Sequence, residues 1–281
     1  MRPLVRNLVL HCVAVLPLAA VLGPTLQAQE DGPPKVLVID REFLKPGKAG
    51  AQHNRTESAI VKAFTDANVA YPYFALDSLS GPSRSLFMFG YDSFADWQKQ
   101  TTAIPGNPAL AAKLDQANQA DSDLLSVYES AAAVLRPDLS LNKGKIEGTR
   151  YFEITLFIVK PGHGHDFEEL AKMYVETWRK IDTETHWDTF EVMYGNPSPS
   201  IAGGDIFLVV NTMKSLADTD KSIANSDKFA GAAGDENMKK VRELSAASIA
   251  SVNTNLFVIN PRMSNPPPEW VKREPAFWKG Q

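Results

Sequence analysis

The stretch 149–178, TRYFEITLFIVKPGHGHDFEELAKMYVETW, most constrains what this chain can fold into. From residue 151 to 159 nearly every position is apolar, aromatic or β-branched, which favours a strand. Strand alternation places Phe152, Ile154, Leu156 and Ile158 on one face and Tyr151, Glu153, Thr155, Phe157 and Val159 on the other. Pro161-Gly162 ends the strand. Asp166 precedes Glu169 by three residues, the spacing of a capping box. Phe167, Leu170, Ala171, Tyr174, Val175 and Trp178 follow at helical spacing as one apolar stripe.

The same plan occurs earlier in the chain. Phe43-Leu44-Lys45-Pro46-Gly47 matches Ile158-Val159-Lys160-Pro161-Gly162, 115 residues on. His53-Asn54 and Glu57 then match His165-Asp166 and Glu169, so Asn54 and Glu57 repeat the expected capping pair. Strands are expected at 71–77 and 85–91, a long helix over 108–132 and a closing strand at 133–140. In the second copy, strands are expected at 189–194 and 205–211, a helix over 235–252 and a closing strand at 257–264. Ser93-Phe94-Ala95-Asp96 is echoed by Ser215-Leu216-Ala217-Asp218.

The ends of the chain read differently. Arg2 and Arg6 precede an apolar run over 8–22 and a small residue at 28, the pattern of a secretory signal peptide over 1–28, with a retained N-terminal anchor as the alternative. The chain is therefore expected to be exported, to a periplasmic or extracellular space of bacterial type. Cys12, the single cysteine, falls in that leader, so the mature chain would hold no disulfide and no thiolate ligand. Losing Arg2 and Arg6 takes the net charge from −4 to −6, which argues against a nucleic-acid partner. No later run is long enough to span a bilayer. The division expected is a first repeat over 34–140, a polar linker over 141–148, a second repeat over 149–264 and a tail over 265–281. The tail, rich in Pro, is expected to lie across the body and bury Trp270, Phe277 and Trp278, with docking of a protein partner as the alternative.

Each copy reads strand-helix-strand-strand-helix-strand, the ferredoxin-like order. An antiparallel sheet with helices on one face leaves its other face to be covered, and two copies can cover each other. With its duplicated Lys-Pro-Gly turns and Ser-[Phe/Leu]-Ala-Asp echo, the chain resembles the dimeric α+β barrel superfamily in a tandem, single-chain form. The resemblance implies an α+β fold of two βαββαβ repeats whose antiparallel sheets pack as a pseudo-dimeric barrel around a cavity. That superfamily includes cofactor-free monooxygenases, haem-binding enzymes and small-molecule binders, and the resemblance carries over no catalytic residue.

Three groups of residues could carry chemistry. His163, His165 and Asp166, with Glu168 and Glu169 beside them, combine metal-ligand types, against which stands a solvated helix start. His186 beside Trp187 could ligate haem or act as a base, or merely pack at the core edge. If Phe152, Ile154 and Leu156 pack on the helices, Glu153 and Thr155 face the cavity, joined by Val38, Asp40 and Glu42 of the first copy and by Glu191. A carboxylate there could serve as acid or base, with Glu153 or His186 as the catalytic group, against which stand hydrated strand ends or pairs with Arg41, Arg84 or Arg150. Trp178, Trp187 and Tyr194 are expected to contribute aromatic surface to a ligand site. The expected function is an exported binder of a small organic molecule. The alternatives are a cofactor-free or haem-linked oxidoreductase and a structural protein that docks a partner through its tail.

Overall fold

The computed structural model describes residues 32–142, 144, 146–182, 184–195 and 204–279. The expected leader, 1–28, lies outside the described residues. From residue 32 the chain runs β1 (Val36–Leu44), α1 (Ala51–Asp66), β2 (Phe74–Ser78), β3 (Arg84–Tyr91), α2 (Phe94–Ala103), α3 (Pro108–Ser122) and β4 (Leu125–Leu135). It continues with β5 (Tyr151–Val159), α4 (Gly164–Ile181), β6 (Asp188–Tyr194), β7 (Ile206–Met213), α5 (Ala217–Ala233), α6 (Asp235–Ser248) and β8 (Ile249–Ile259). Two short helices close it, α7 (Pro268–Arg273) and α8 (Pro275–Lys279). No helix among the described residues is long and apolar enough to cross a membrane.

The eight strands form one closed antiparallel barrel in the order β1-β3-β2-β8-β5-β7-β6-β4. Closure leaves no free strand edge. The halves of the chain join at two seams: β2 pairs with β8 (Leu76 opposite Ile259) and β4 with β6 (Val134 opposite Glu191). The interior is thus a barrel lumen, not a gap between two separate sheets. Leu37, Ile39, Leu86, Met88, Phe152, Ile154, Phe190, Leu208, Val210 and Phe257 pack together there. Outside, Val36, Val38, Phe87 and Phe89 pack under Phe64 of α1 and Leu110 and Leu114 of α3. Val159 and Phe207 pack under Phe167 of α4.

This inverts the expected phasing of β5. Phe152, Ile154 and Leu156 face the lumen, while Glu153 and Thr155 share the outer face with Phe157 and Val159. Both faces of β5 are apolar enough to bury. The period of two fixes which residues share a face, but Phe167 selects which face meets the helices.

Element boundaries differ where small residues blur the period. The helix expected over 108–132 stops at Ser122, and β4 already begins at Leu125. The helix expected over 235–252 stops at Ser248, where β8 begins. Pairing along β1 and β5 recruits residues whose sequence reads equally well as helix. The capping pairs are also corrected. Gly50 precedes α1, so Asn54 and Glu57 lie inside the helix, and neither α1 nor α4 has a side-chain N-cap.

The two ends of the barrel are filled differently. At one, the Arg84 guanidinium lies over Phe257, 5.0 Å from the ring centre, and only about 60 Å³ remains open. At the other, α7 and α8 lie across the opening. Trp270 is buried and stacks on Phe74 at 4.9 Å, and Trp278 stacks on the same ring at 6.1 Å.

Candidate functional site at the barrel mouth

The lumen opens at the end covered by the tail into a cavity of about 770 Å³. Its floor is made by inward residues of the strands: Leu37, Met88, Phe152, Phe190 and Val210. Its roof is made by Trp270 and Trp278. The roof is held in place by polar contacts at its rim. Arg150 pairs with Glu274, whose other oxygen accepts the Gly148 N–H at 2.9 Å. The Arg150 guanidinium also lies over Phe277, 3.8 Å from the ring centre. Burial opposes ionisation of Glu274, but the Arg150 and Gly148 hydrogen bonds outweigh it and hold the carboxyl below its ordinary range.

One carboxylate reaches the cavity wall from the lumen side. Asp188 starts β6 opposite Val210 and, two residues before Phe190, shares its inward face. Its carboxylate makes no hydrogen bond or ion pair among the described residues. Burial alone pushes its carboxyl up to about 7. Such a group is divided between its protonated and ionised forms at neutral pH, so it can give or take a proton. Thr212 of β7 lines the same wall.

None of the site residues expected from the sequence lines this cavity. His186 lies behind the wall: its Nε2 is 2.8 Å from the Thr212 hydroxyl and its Nδ1 is 3.2 Å from the Glu184 carbonyl. A Cβ at Gly144 would fall 2.5 Å from the His186 ring, so glycine permits this placement. Trp187 donates from Nε1 to the Leu139 carbonyl at 3.0 Å, and Trp178 packs near Phe229 on the outer helix layer. Glu191 faces outward and pairs with Arg136 at 2.8 Å. Tyr194 is exposed and meets Phe94 edge-on. Asp40 accepts from Ser130 at 2.6 Å, and Thr155 bonds Thr254 at 2.9 Å, both on the outer face. Glu153 also faces outward, and burial raises its carboxyl. His163 bonds Asp166 at 2.7 Å, but His165 is exposed, and the three do not bring their ligand atoms together.

A second polar centre lies between the first-half strands and helices. Glu42 of β1, His53 and Glu57 of α1 and Asp121 of α3 each place one ligand atom within 4.8 Å of the others, and no other such group occurs among the described residues. His53 Nε2 is 2.9 Å from Glu42 and 3.6 Å from Asp121. Burial, with Glu42 and Asp121 adding to it, raises Glu57 to about 10. Burial also raises Glu42 against the His53 hydrogen bond. Burial opposes the charge on His53, but its carboxylate neighbours raise it overall.

Sequence reasoning missed Asp188 because the inverted phasing directed attention to Glu191. The alternation Asp188-Phe190-Val192 was the available signal. It missed the cluster because His53 and Glu57 read as a helix start, and Asp121 is 68 residues from His53 in sequence.

These features define an α+β protein with the fold of the dimeric α+β barrel proteins. No family model matches the chain, and no curated protein matches its sequence. Among solved structures, an anthrone oxidase-like protein aligns at a TM-score of 0.52 and 13% identity, over 80% of this chain and 91% of that one. A protein from Lactobacillus acidophilus provisionally assigned as a monooxygenase aligns at 0.48 and 8% identity, over 80% and 93%. A chlorite dismutase from Candidatus Nitrospira defluvii in complex with imidazole aligns at 0.44 and 11% identity, over 85% and 95%.

Proposed function

We propose that the chain is an exported, tandem form of this fold that binds a small, largely apolar organic molecule at the barrel mouth. The observation that carries the reading is the cavity of about 770 Å³, apolar on its floor and roof, with Asp188 unpaired on its wall. Ligand pockets of this size combine apolar lining with a few placed polar groups. The element order, strand-helix-strand-strand-two helices-strand in each half, supports the tandem reading. The leader read at 1–28 supports export.

A mature chain titrated with the neutral fluorophore N-phenyl-1-naphthylamine tests the binding reading. One probe per chain should bind with enhanced fluorescence. Val210→Trp, which fills the cavity, should abolish binding while the circular dichroism spectrum is retained. A wild-type chain that binds no probe, or a V210W variant that binds as well as wild type, would remove the ligand reading.

The poised carboxyl of Asp188 favours a second reading, a cofactor-free oxygenase-like enzyme in which it accepts a proton from bound substrate. The name of the anthrone oxidase-like neighbour supplies the probe. Anthrone would lose a ring CH₂ proton to Asp188, and the enolate would be oxidised by O₂ to anthraquinone with release of one water. Anthraquinone formation above the uncatalysed rate, lost in Asp188→Asn, would support it. Rates equal to buffer alone would leave only the binder. His186 is suited to hold the Thr212 hydroxyl and does not fit a haem ligand, since its Nε2 is engaged behind the wall.

A further inference from the structure

We infer that Glu42, His53, Glu57 and Asp121 bind one divalent transition-metal ion, which ties β1, α1 and α3 together outside the barrel. This inference is independent of the barrel-mouth cavity, which none of the four residues lines. All four are buried, with Glu57 and Asp121 each 3% exposed. No Lys or Arg pairs with any of them among the described residues, so three carboxylates share one imidazole. Carboxyl groups buried together either keep their protons or share a cation.

Two observations aim the site at an ion and not only at internal hydrogen bonds. Glu57 Oε1 and Asp121 Oδ2 are buried and have no hydrogen-bond partner. Buried polar atoms in native proteins are nearly always satisfied, so two together on one cluster mark a missing ligand. The separations also fit. Oxygen and nitrogen ligands about 2.0–2.2 Å from one ion lie up to about 4.4 Å apart, and these atoms all lie within 4.8 Å. Side-chain shifts of a few tenths of an ångström complete the shell.

The surroundings orient the ligands. His53 Nδ1 faces the Ser85 hydroxyl at 3.4 Å, and that hydroxyl donates to Asp77 at 2.7 Å. This directs Nε2 toward Glu42 and Asp121. Asp77 is itself held by Asn260 at 2.7 Å, and Thr56 donates to Asp121. Outer hydrogen bonds of this kind fix a ligating imidazole.

The other half of the barrel shows that the fold does not need polar residues at this place. Glu42 lies opposite Ser85 in the β1–β3 register, and Phe157 lies opposite Phe207 in β5–β7. Phe167 of α4 packs on both, with ring centres 5.3 and 4.6 Å apart. Three aromatic rings fill one half where a carboxylate, a hydroxyl and an imidazole occupy the other. Three carboxylates and one imidazole suit Mn²⁺, Fe²⁺ or Zn²⁺ better than a thiolate-seeking ion. Burial of every ligand makes the role structural.

The test uses the mature chain purified without chelator. Native mass spectrometry and elemental analysis should find one first-row divalent ion per chain. After dialysis against EDTA, Mn²⁺ followed by electron paramagnetic resonance and Zn²⁺ followed by calorimetry should each bind at one site. A 100-fold excess over Kd should raise the Tm by about 5–10 °C. Glu57→Gln should weaken binding at least about 100-fold and lower the Tm of the metal-loaded protein. If E57Q does not fold, Asp121→Asn and the wild-type titrations decide. Dialysed wild type that binds neither ion at 1 mM overturns the inference. So does an E57Q variant more stable than ion-saturated wild type, which would make the cluster a proton-sharing group instead.

Discussion

Replacing Asp188 by Asn should stabilise the protein at pH 8 and leave it nearly unchanged at pH 4. The folded carboxyl ionises near 7, against an ordinary value of 3.8. Between those values the folded state holds a proton that the unfolded chain has lost. Stability therefore falls as pH rises from about 4 and levels off above about 7. The full gap corresponds to about 4 kcal/mol. Water in the open cavity solvates part of the charge, so about 1–3 kcal/mol is expected. Asn keeps the shape and carries no charge, so D188N escapes this penalty. Urea unfolding of both proteins, read by tryptophan fluorescence at pH 4.5, 6, 7 and 8, gives the difference directly. It should grow from near zero and plateau above pH 7. A constant offset, or a D188N less stable than wild type at pH 8, would show that the carboxyl is not desolvated in the folded state.

Two further perturbations test the frame around the cavity. Trp270→Ala removes the ring stacked on Phe74 and should lower stability by about 3 kcal/mol in urea unfolding. It should also weaken binding of the naphthylamine probe, because the same ring roofs the cavity. Gly195→Ala should cost more than about 2 kcal/mol by thermal unfolding. Its φ is +72°, and the new Cβ would lie 2.1 Å from the Ser130 carbonyl oxygen.

Much of the ground plan is legible in the sequence because it depends on local signals. The Lys45-Pro46-Gly47 and Lys160-Pro161-Gly162 turns end β1 and β5 where expected. The stripe of Phe167, Leu170 and Val175 becomes the buried face of α4. The aromatic tail packs on the body, as its composition suggested. What the sequence hides is which face of a two-sided apolar strand looks inward, and that error displaces every site residue deduced from it. Glu153 and Glu191 are outer-face residues for this reason, whereas Asp188 begins the inner face. The cluster is hidden for another reason. Residues 42, 53, 57 and 121 meet only through packing of three elements, and no spacing rule joins them.

Asp188 and Glu57 pose the same physical problem in different settings. Each carboxyl is held far above its ordinary range, chiefly by burial, so each favours the protonated form. A fold selected for stability alone would carry neutral residues at both places; beside the cluster, the second half fills with Phe157, Phe167 and Phe207 the position that Glu42, His53 and Ser85 hold in the first. The settings separate their uses. Asp188 stands on the wall of a cavity large enough for a ligand, so its proton is available to something that enters. Glu57 stands between helices and sheet with other acids around it, so a cation is what its surroundings accept. The two should therefore respond independently: Mn²⁺ should stabilise D188N as much as wild type, and D188N should keep its pH-dependent advantage in ion-saturated protein. Cross-talk larger than about 0.5 kcal/mol between the two effects would mean that the sites are not separate.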